Sequence, residues 1–217
     1  MKKSFTLKSS KSKPLNGTVT IPSDKSISIR SLIIGSLCIG NTKVFNLLES
    51  DDVLNTLKVL KKLNVKIEKN ENFYEIYGQG GYFDRPSSDL NFGNSGTGVR
   101  LMAGLLSTSE IDASLTGDNS LSSRPMKRII EPLLKMNVSI KDNNGLLPIK
   151  IRNEKKKHIP INYTLSIGSA QVKSCLLLAA LNIKGTTRII EKIPSRDHTE
   201  IMLRYLGADL KKKKKYN

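Results

Sequence analysis

Five short segments combine glycine, hydroxyl and cationic side chains in patterns suited to holding anions. In Ile21-Pro-Ser-Asp-Lys-Ser-Ile-Ser-Ile-Arg30 a strand is predicted to end at Pro22 and a helix to open near Ser23 or Asp24, which puts Lys25 and Ser26 in its first turn. First-turn amides lack intrahelical partners and lie at the positive end of the helix dipole, so phosphate and carboxylate are drawn there. A lysine in that turn opposes the dipole and costs up to about 1 kcal/mol unless an anion lies between. Arg30 reaches the same mouth. From these residues alone an anion site and a solvated helix end stand level, because basic helix starts are common.

Gly93-Asn-Ser-Gly-Thr-Gly98 offers close backbone approach through its glycines and donors from Asn94 and Thr97, although such a turn alone is also an ordinary loop. In Ser166-Ile-Gly-Ser-Ala-Gln-Val-Lys173, Ser169 can cap a helix and also donate to a phosphate, capping being the commoner use. Arg124 and Arg196 are expected to begin helices just after Ser-bearing loops, and a guanidinium suits bidentate binding of carboxylate or phosphate.

The elements that must position these residues repeat three times. Arg30-Ser-Leu-Ile-Ile-Gly-Ser-Leu recurs in outline from Arg100 and again from Lys173, at offsets of 70 and 73 residues. A second set runs from Asp51, Arg124 and Arg196, and its Asn64, Asn137 and Gly207 align at offsets of 73 and 70. Each unit reads as strand, buried apolar helix, strand, half-exposed amphipathic helix, then strands. Hairpins are predicted at Val65–Lys69 with Phe73–Gly78, and at Val138–Asp142 with Leu147–Arg152. The third unit runs into lysines after Leu210 without a return strand, which is expected of a truncated repeat. Asp51 and Asp52 suit the dipole of the helix they open, and His158 and His198 read as surface or loop residues.

Composition narrows the classes. A chain of 217 residues, 38% hydrophobic, can build a real core. Its apolar stretches, such as Leu32–Ile39 and Cys175–Leu181, fall short of the roughly 18 to 20 residues that cross a bilayer. The first residues lack an apolar signal region, so no membrane partner and a cytoplasmic location are expected. Cys38 and Cys175 read as buried thiols without metal-ligand spacing. A net charge of +17 raises nucleic acid as a partner, but five lysines form the run Lys211–Lys215 and only 5% of residues are aromatic. A base-stacking platform is therefore not expected, nor a nucleic-acid partner. Anionic small molecules, and an acidic second half, would account for the charge.

In this order and spacing IPSDKSISIR, GNSGTGVR, GDNSLSSRPM, SAQVKS and SRDHTE resemble the motif series of the 5-enolpyruvylshikimate-3-phosphate synthase family, over about Lys8 to Leu210. The likeness is closest to the subgroup with Ser-Ala-Gln and Arg-Asp-His-Thr-Glu; other members often have Ser where Ala170 stands. The resemblance implies an α/β (α+β) fold, the inside-out α/β barrel of the enolpyruvyl transferase type, with three βαβαββ repeats of which the third is incomplete. Residues 1–20 would then be a strand contributed to a largely missing second domain, and 21–217 the three-repeat domain, truncated at its last hairpin. The implied reaction transfers the enolpyruvyl group of phosphoenolpyruvate to the 5-hydroxyl of shikimate 3-phosphate and releases phosphate, without metal or organic cofactor. By motif, Lys25, Ser26, Arg30, Ser169, Ala170, Gln171 and Arg196 would bind shikimate 3-phosphate, with Arg30 toward its carboxylate. Lys25, Asn94, Gly96, Thr97, Arg124 and Gln171 would line the phosphoenolpyruvate pocket. Lys25 is the candidate for proton transfer, on the expectation that neighbouring arginines and a closed, desolvated cleft lower its pKa. The other acid and base groups would lie in the missing half, leaving this fragment inactive alone and the complete enzyme a monomer. Gly96 would leave room for phosphoenolpyruvate and for the longer family inhibitor glyphosate.

Three rivals remain. The related transferase that acts on UDP-N-acetylglucosamine shares the repeat architecture but usually carries a cysteine in the loop before Arg-Pro, and Gly117–Arg124 has none. A non-catalytic anion-binding fragment would keep the binding and lose the chemistry. A basic nucleic-acid-binding protein would show strongly salt-dependent affinity for DNA.

Overall fold

The computed structural model describes residues 6–154 and 156–212, so part of the terminal lysine run lies outside the described residues. Residues 6–24 contain neither helix nor strand. The strand expected up to Pro22 is thus not formed: no neighbour offers it a ladder, and unpaired strand backbone is better hydrated as coil.

The first unit comprises α1 (Lys25–Leu37), β1 (Ile39–Phe45), α2 (Asp51–Lys62), β2 (Ile67–Lys69) and β3 (Phe73–Gln79). The second is complete: β4 (Leu90–Asn91), α3 (Gly96–Ser107), β5 (Ala113–Thr116), the short α4 (Asn119–Ser122), α5 (Lys127–Lys135), β6 (Ser139–Asn143) and β7 (Leu146–Arg152). The third has β8 (Asn162–Leu165), α6 (Ala170–Ala180), β9 (Arg188–Glu191) and α7 (His198–Tyr205). Among the described residues the first unit lacks its opening strand and the third its closing pair.

The sheets follow one plan. In the second unit the order is β4-β5-β7-β6, with β4 parallel to β5 and the other pairs antiparallel. The first sheet, β1-β3-β2, keeps the antiparallel part, and the third, β8-β9, keeps the parallel part. Both predicted hairpins form. Asn144 and Gly145, with φ of 52° and 79°, turn β6 into β7 by the two-residue loop that suits strand twist.

Buried and exposed residues alternate along β7, so its sheet has one face on the core and one in water. The helices α1, α3 and α6 supply much of that core, and a single apolar cluster runs from Ile29 to Leu203. Sheets outside and helices within make this an inside-out α/β barrel. Each fully buried residue such as Leu101 or Leu176 contributes roughly 1.5 to 3 kcal/mol from burial. The helices α3 and α6 run side by side in the same direction: Thr97 meets Gln171 near their starts, and Gly104 meets Cys175 further along. A Cβ on Gly104 would fall 2.1 Å from the carbonyl oxygen of Cys175, so only glycine permits this approach.

The aligned positions Asn64, Asn137 and Gly207 share a role. All have positive φ (63°, 64° and 92°) and end α2, α5 and α7. The next residue in each case donates back into the helix, Val65 to Leu60, Val138 to Leu133 and Ala208 to Leu203, at 3.0, 3.2 and 2.9 Å. This left-handed cap satisfies a terminal carbonyl and turns the chain toward the sheet.

Candidate anion site at the helix starts

The starts of α1, α3 and α6 converge, and each has a side-chain cap. Asp24 Oδ1 accepts from Ile27 N at 2.7 Å, Ser95 Oγ from Gly98 N at 3.2 Å, and Ser169 Oγ from Val172 N at 3.4 Å. Capping of this kind contributes about 1 kcal/mol each and leaves further first-turn amides to a ligand. The second helices also bring their first turns here: Asp52 of α2 meets Lys25, Thr56 of α2 meets Ser95, and Thr199 of α7 meets Arg30.

Arg30 is only 3% exposed. Its Nε donates to Thr199 Oγ1 at 2.7 Å, and its two terminal nitrogens donate to Ser26 O at 2.9 Å and Ser174 Oγ at 3.1 Å. No carboxylate touches it directly among the described residues. Burial first, and then the charge of Arg196, draw its pKa below the ordinary arginine value, while Glu200 and Asp24 oppose that shift. In the second unit Arg100 donates to Gln171 Oε1 at 3.0 Å and to Gly96 O at 3.1 Å, and Gln171 donates on to Thr97 Oγ1 at 3.0 Å. Burial, then Arg124 and Arg128, lower the Arg100 pKa. Arg124 donates to Asn94 Oδ1 and to Ser120 Oγ. A Cβ on Gly96 would lie 3.0 Å from one Arg100 nitrogen and 3.2 Å from one of Arg124, so both guanidinium groups crowd the bare backbone of Gly96. Arginines crowded beside capped helix starts make an arrangement whose chemistry suits an anion.

The structure thus joins Arg30, Ser26 and the α6 start on one side, and Asn94, Gly96, Thr97, Arg124 and Gln171 on the other. Lys25 is different. It is half exposed and donates to Asp52 Oδ2 at 2.5 Å. The Arg30 side chain bonds Thr199 and Ser174 of α7 and α6 instead. Arg196 is exposed and has no hydrogen bond or ion pair among the described residues. Neither Arg124 nor Arg196 begins a helix: Arg124 precedes α5 by three residues and Arg196 precedes α7 by two, each in the connecting loop. Cys175 is fully buried, with burial pushing its thiol pKa up, whereas Cys38 caps the end of α1 and is only half buried.

The sequence reading missed Arg100, although its alignment with Arg30 and Lys173 was the available signal. It also missed Thr199 and Ser174 as partners of Arg30, and Asp52 as the counter-ion of Lys25. Lys173, matching Arg100, does not face the mouth. It is 4% exposed and paired with Glu200 at 2.6 Å and Glu191 at 2.8 Å.

Fold and side-chain contacts together define a three-repeat domain that gathers helix starts and arginines. The chain belongs to the EPSP synthase (3-phosphoshikimate 1-carboxyvinyltransferase) family, whose model matches residues 9–217. It is 49% identical over 194 residues to a 3-phosphoshikimate 1-carboxyvinyltransferase of Ruthia magnifica subsp. Calyptogena magnifica, covering 89% of this chain and 44% of the relative. It is 50% identical over 200 residues to that of Vesicomyosocius okutanii subsp. Calyptogena okutanii, covering 92% and 46%. The structure of EPSP synthase from Acinetobacter baumannii superposes with a TM-score of 0.86 at 42% identity, covering 91% of this chain and 45% of that one. The chain therefore spans under half the length of these relatives. No helix among the described residues is long and apolar enough to cross a membrane.

Proposed function

We propose that this chain forms one wall of the active site of an enolpyruvyl transferase that joins phosphoenolpyruvate to the 5-hydroxyl of shikimate 3-phosphate and releases phosphate. The observation that carries this reading is the convergence of three capped helix starts with Arg30, Arg100 and Arg124, all short of carboxylate partners, in a member of this family. Both substrates are multiply anionic, and preorganised amides and guanidinium groups stabilise such charge without reorganisation. Ser26, Arg30, Ser169, Ala170, Gln171 and Arg196 would hold shikimate 3-phosphate, the buried fork of Arg30 meeting its carboxylate. Asn94, Gly96, Thr97, Arg124 and Gln171 would hold phosphoenolpyruvate.

Lys25 would touch both substrates and move the proton, which requires it to leave Asp52. In the reaction the 5-hydroxyl gives up its proton and attacks C2 as C3 is protonated, and the tetrahedral intermediate then loses phosphate from C2 and a proton from C3 to restore the double bond. In this reading the other acid and base groups come from outside this chain, residues 1–20 pair with a second domain, and the complete enzyme is a cytoplasmic monomer. Calorimetric titration of the chain with shikimate 3-phosphate tests the proposal: weak binding is expected, and no heat at millimolar ligand contradicts it. With both substrates present, phosphate release by the chain alone should stay at background, since a dry cleft needs both walls.

A further inference from the structure

The buried polar group at the junction of α1, α6 and α7 is not explained by packing. Thr199 and Ser174 are each 1% exposed, and both hydroxyls are committed to Arg30. Their hydrogen bonds have one consistent direction. Ser174 Oγ donates to Ala170 O at 2.5 Å, which leaves Thr199 Oγ1 to donate to Ser174 Oγ at 2.6 Å. Each oxygen then accepts from Arg30. With Ser26 O these bonds engage three of the five N–H groups of a guanidinium and leave two for a ligand.

The matching threonine of the first unit shows that this is not simply what a threonine does here. Thr56 stands eight residues before the left-handed cap at Asn64, as Thr199 stands eight before Gly207. Thr56 Oγ1 donates to its own helix at Asp52 O, 2.8 Å, and lies 3.2 Å from the capping Ser95. Both threonines reach another repeat, but Thr199 accepts there from a cation, Arg30. Its neighbour Glu200, 6% exposed, bonds Lys173 of α6 through one oxygen, which fixes the start of α7 against α6.

We propose that Thr199 is a positioning residue: its hydroxyl, seconded by Ser174, aims the Arg30 guanidinium at the carboxylate of the bound substrate. This rests on the reading of Arg30 as a ligand of shikimate 3-phosphate. A buried guanidinium loses its fixed orientation when one of its acceptors is removed, whereas a substitute hydroxyl preserves it.

The test titrates the chain and its Thr199→Val, Thr199→Ser and Ser174→Ala variants with shikimate 3-phosphate and, separately, with inorganic phosphate, and records a thermal melt of each. Thr199→Val should bind shikimate 3-phosphate about tenfold more weakly or worse, Thr199→Ser should restore the affinity, and inorganic phosphate should bind all of them alike. If Thr199→Val does not fold, Ser174→Ala carries the test and should show the same selective loss. Unchanged affinity in the valine variant, or equal weakening of both ligands, would overturn the positioning role. Failure of the unaltered chain to bind shikimate 3-phosphate would instead remove the reading of the site, and this proposal with it.

Discussion

The second and third repeats each place a cation early in the buried helix, Arg100 as the fifth residue of α3 and Lys173 as the fourth of α6, and use it for opposite purposes. Arg100 of α3 faces the mouth, bonded to Gln171 and crowded against Gly96 and Arg124. Lys173 of α6 faces inward and ties α6 to β9 through Glu191 and to α7 through Glu200. The sheets differ in parallel. The second repeat covers its helices with four strands, the third with two. The ion triad links α6, β9 and α7 of the third repeat where, in the second, β7 and β6 complete the sheet. The loop arginines differ as well: Arg124 is held by Asn94 and Ser120, and Arg196 has no hydrogen-bond partner among the described residues. One residue of offset from the N-cap turns the two side chains about 100° apart around their helices, and the partners each then meets set whether it serves the ligand or the fold.

The largest expected effect comes from breaking the triad. Lys173→Met should destabilise the chain by about 3 to 5 kcal/mol in urea unfolding, because it leaves Glu191 and Glu200 without their cation, and Glu200 already has one buried oxygen without a partner. The pH dependence has a definite sign. Burial acts to lower the Lys173 pKa, but its bonds to Glu191 and Glu200 together raise it above the ordinary value of 10.5. Its contribution is thus fully present below about pH 10.5 and lost as pH rises through the raised value. Stability measured upward from pH 10 should fall in the unaltered chain, and that part of the fall should be missing from Lys173→Met.

Next in size is the α3–α6 contact that both repeats share. Gly104→Ala should cost about 1 to 3 kcal/mol by forcing these helices apart, read in the same unfolding experiment. Substitutions at the mouth should spare the fold. Arg196→Ala should leave stability within about 0.5 kcal/mol, as for an untethered surface side chain, while weakening shikimate 3-phosphate binding about tenfold. A large loss of stability would show that Arg196 is not free. Smallest for the fold is Gly96→Ala, whose methyl group crowds the ends of the flexible Arg100 and Arg124 side chains and makes only ordinary contact with Leu121. It should displace Arg100 and Arg124 and so weaken phosphoenolpyruvate, and the longer glyphosate more, when measured in the complete enzyme. Equal changes for the two ligands would contradict a wall at Gly96.

Much of this comparison was legible in the sequence. The offsets that align Asn64, Asn137 and Gly207 correspond to one shared left-handed cap, and the helix starts fall at Asp24–Lys25, Ser95–Gly96 and Ser169–Ala170 because capping residue and apolar run are adjacent in the chain. Both hairpins follow from turn chemistry that is likewise local. The partners were harder to foresee. Asp52 lies 27 residues from Lys25, and Thr199 lies 169 residues from Arg30, distances at which no periodicity reports contact. The expected strand before Pro22 had a local pattern but no neighbour to pair with. The different fates of Arg100 and Lys173 depended on Glu191 and Glu200, which no repeat alignment pairs with a lysine.

On the proposed reading the converging helix starts form one site for a phosphorylated, carboxylated ligand. Titrating the isotope-labelled chain with shikimate 3-phosphate while following backbone amides and the Arg30 Nε–H by NMR tests it most directly. Saturable shifts are expected, confined to Lys25–Arg30, Ser169–Gln171 and Arg196–Thr199, with little change on the outer faces of the sheets. Shifts centred on those outer faces, or none at millimolar ligand, would contradict it.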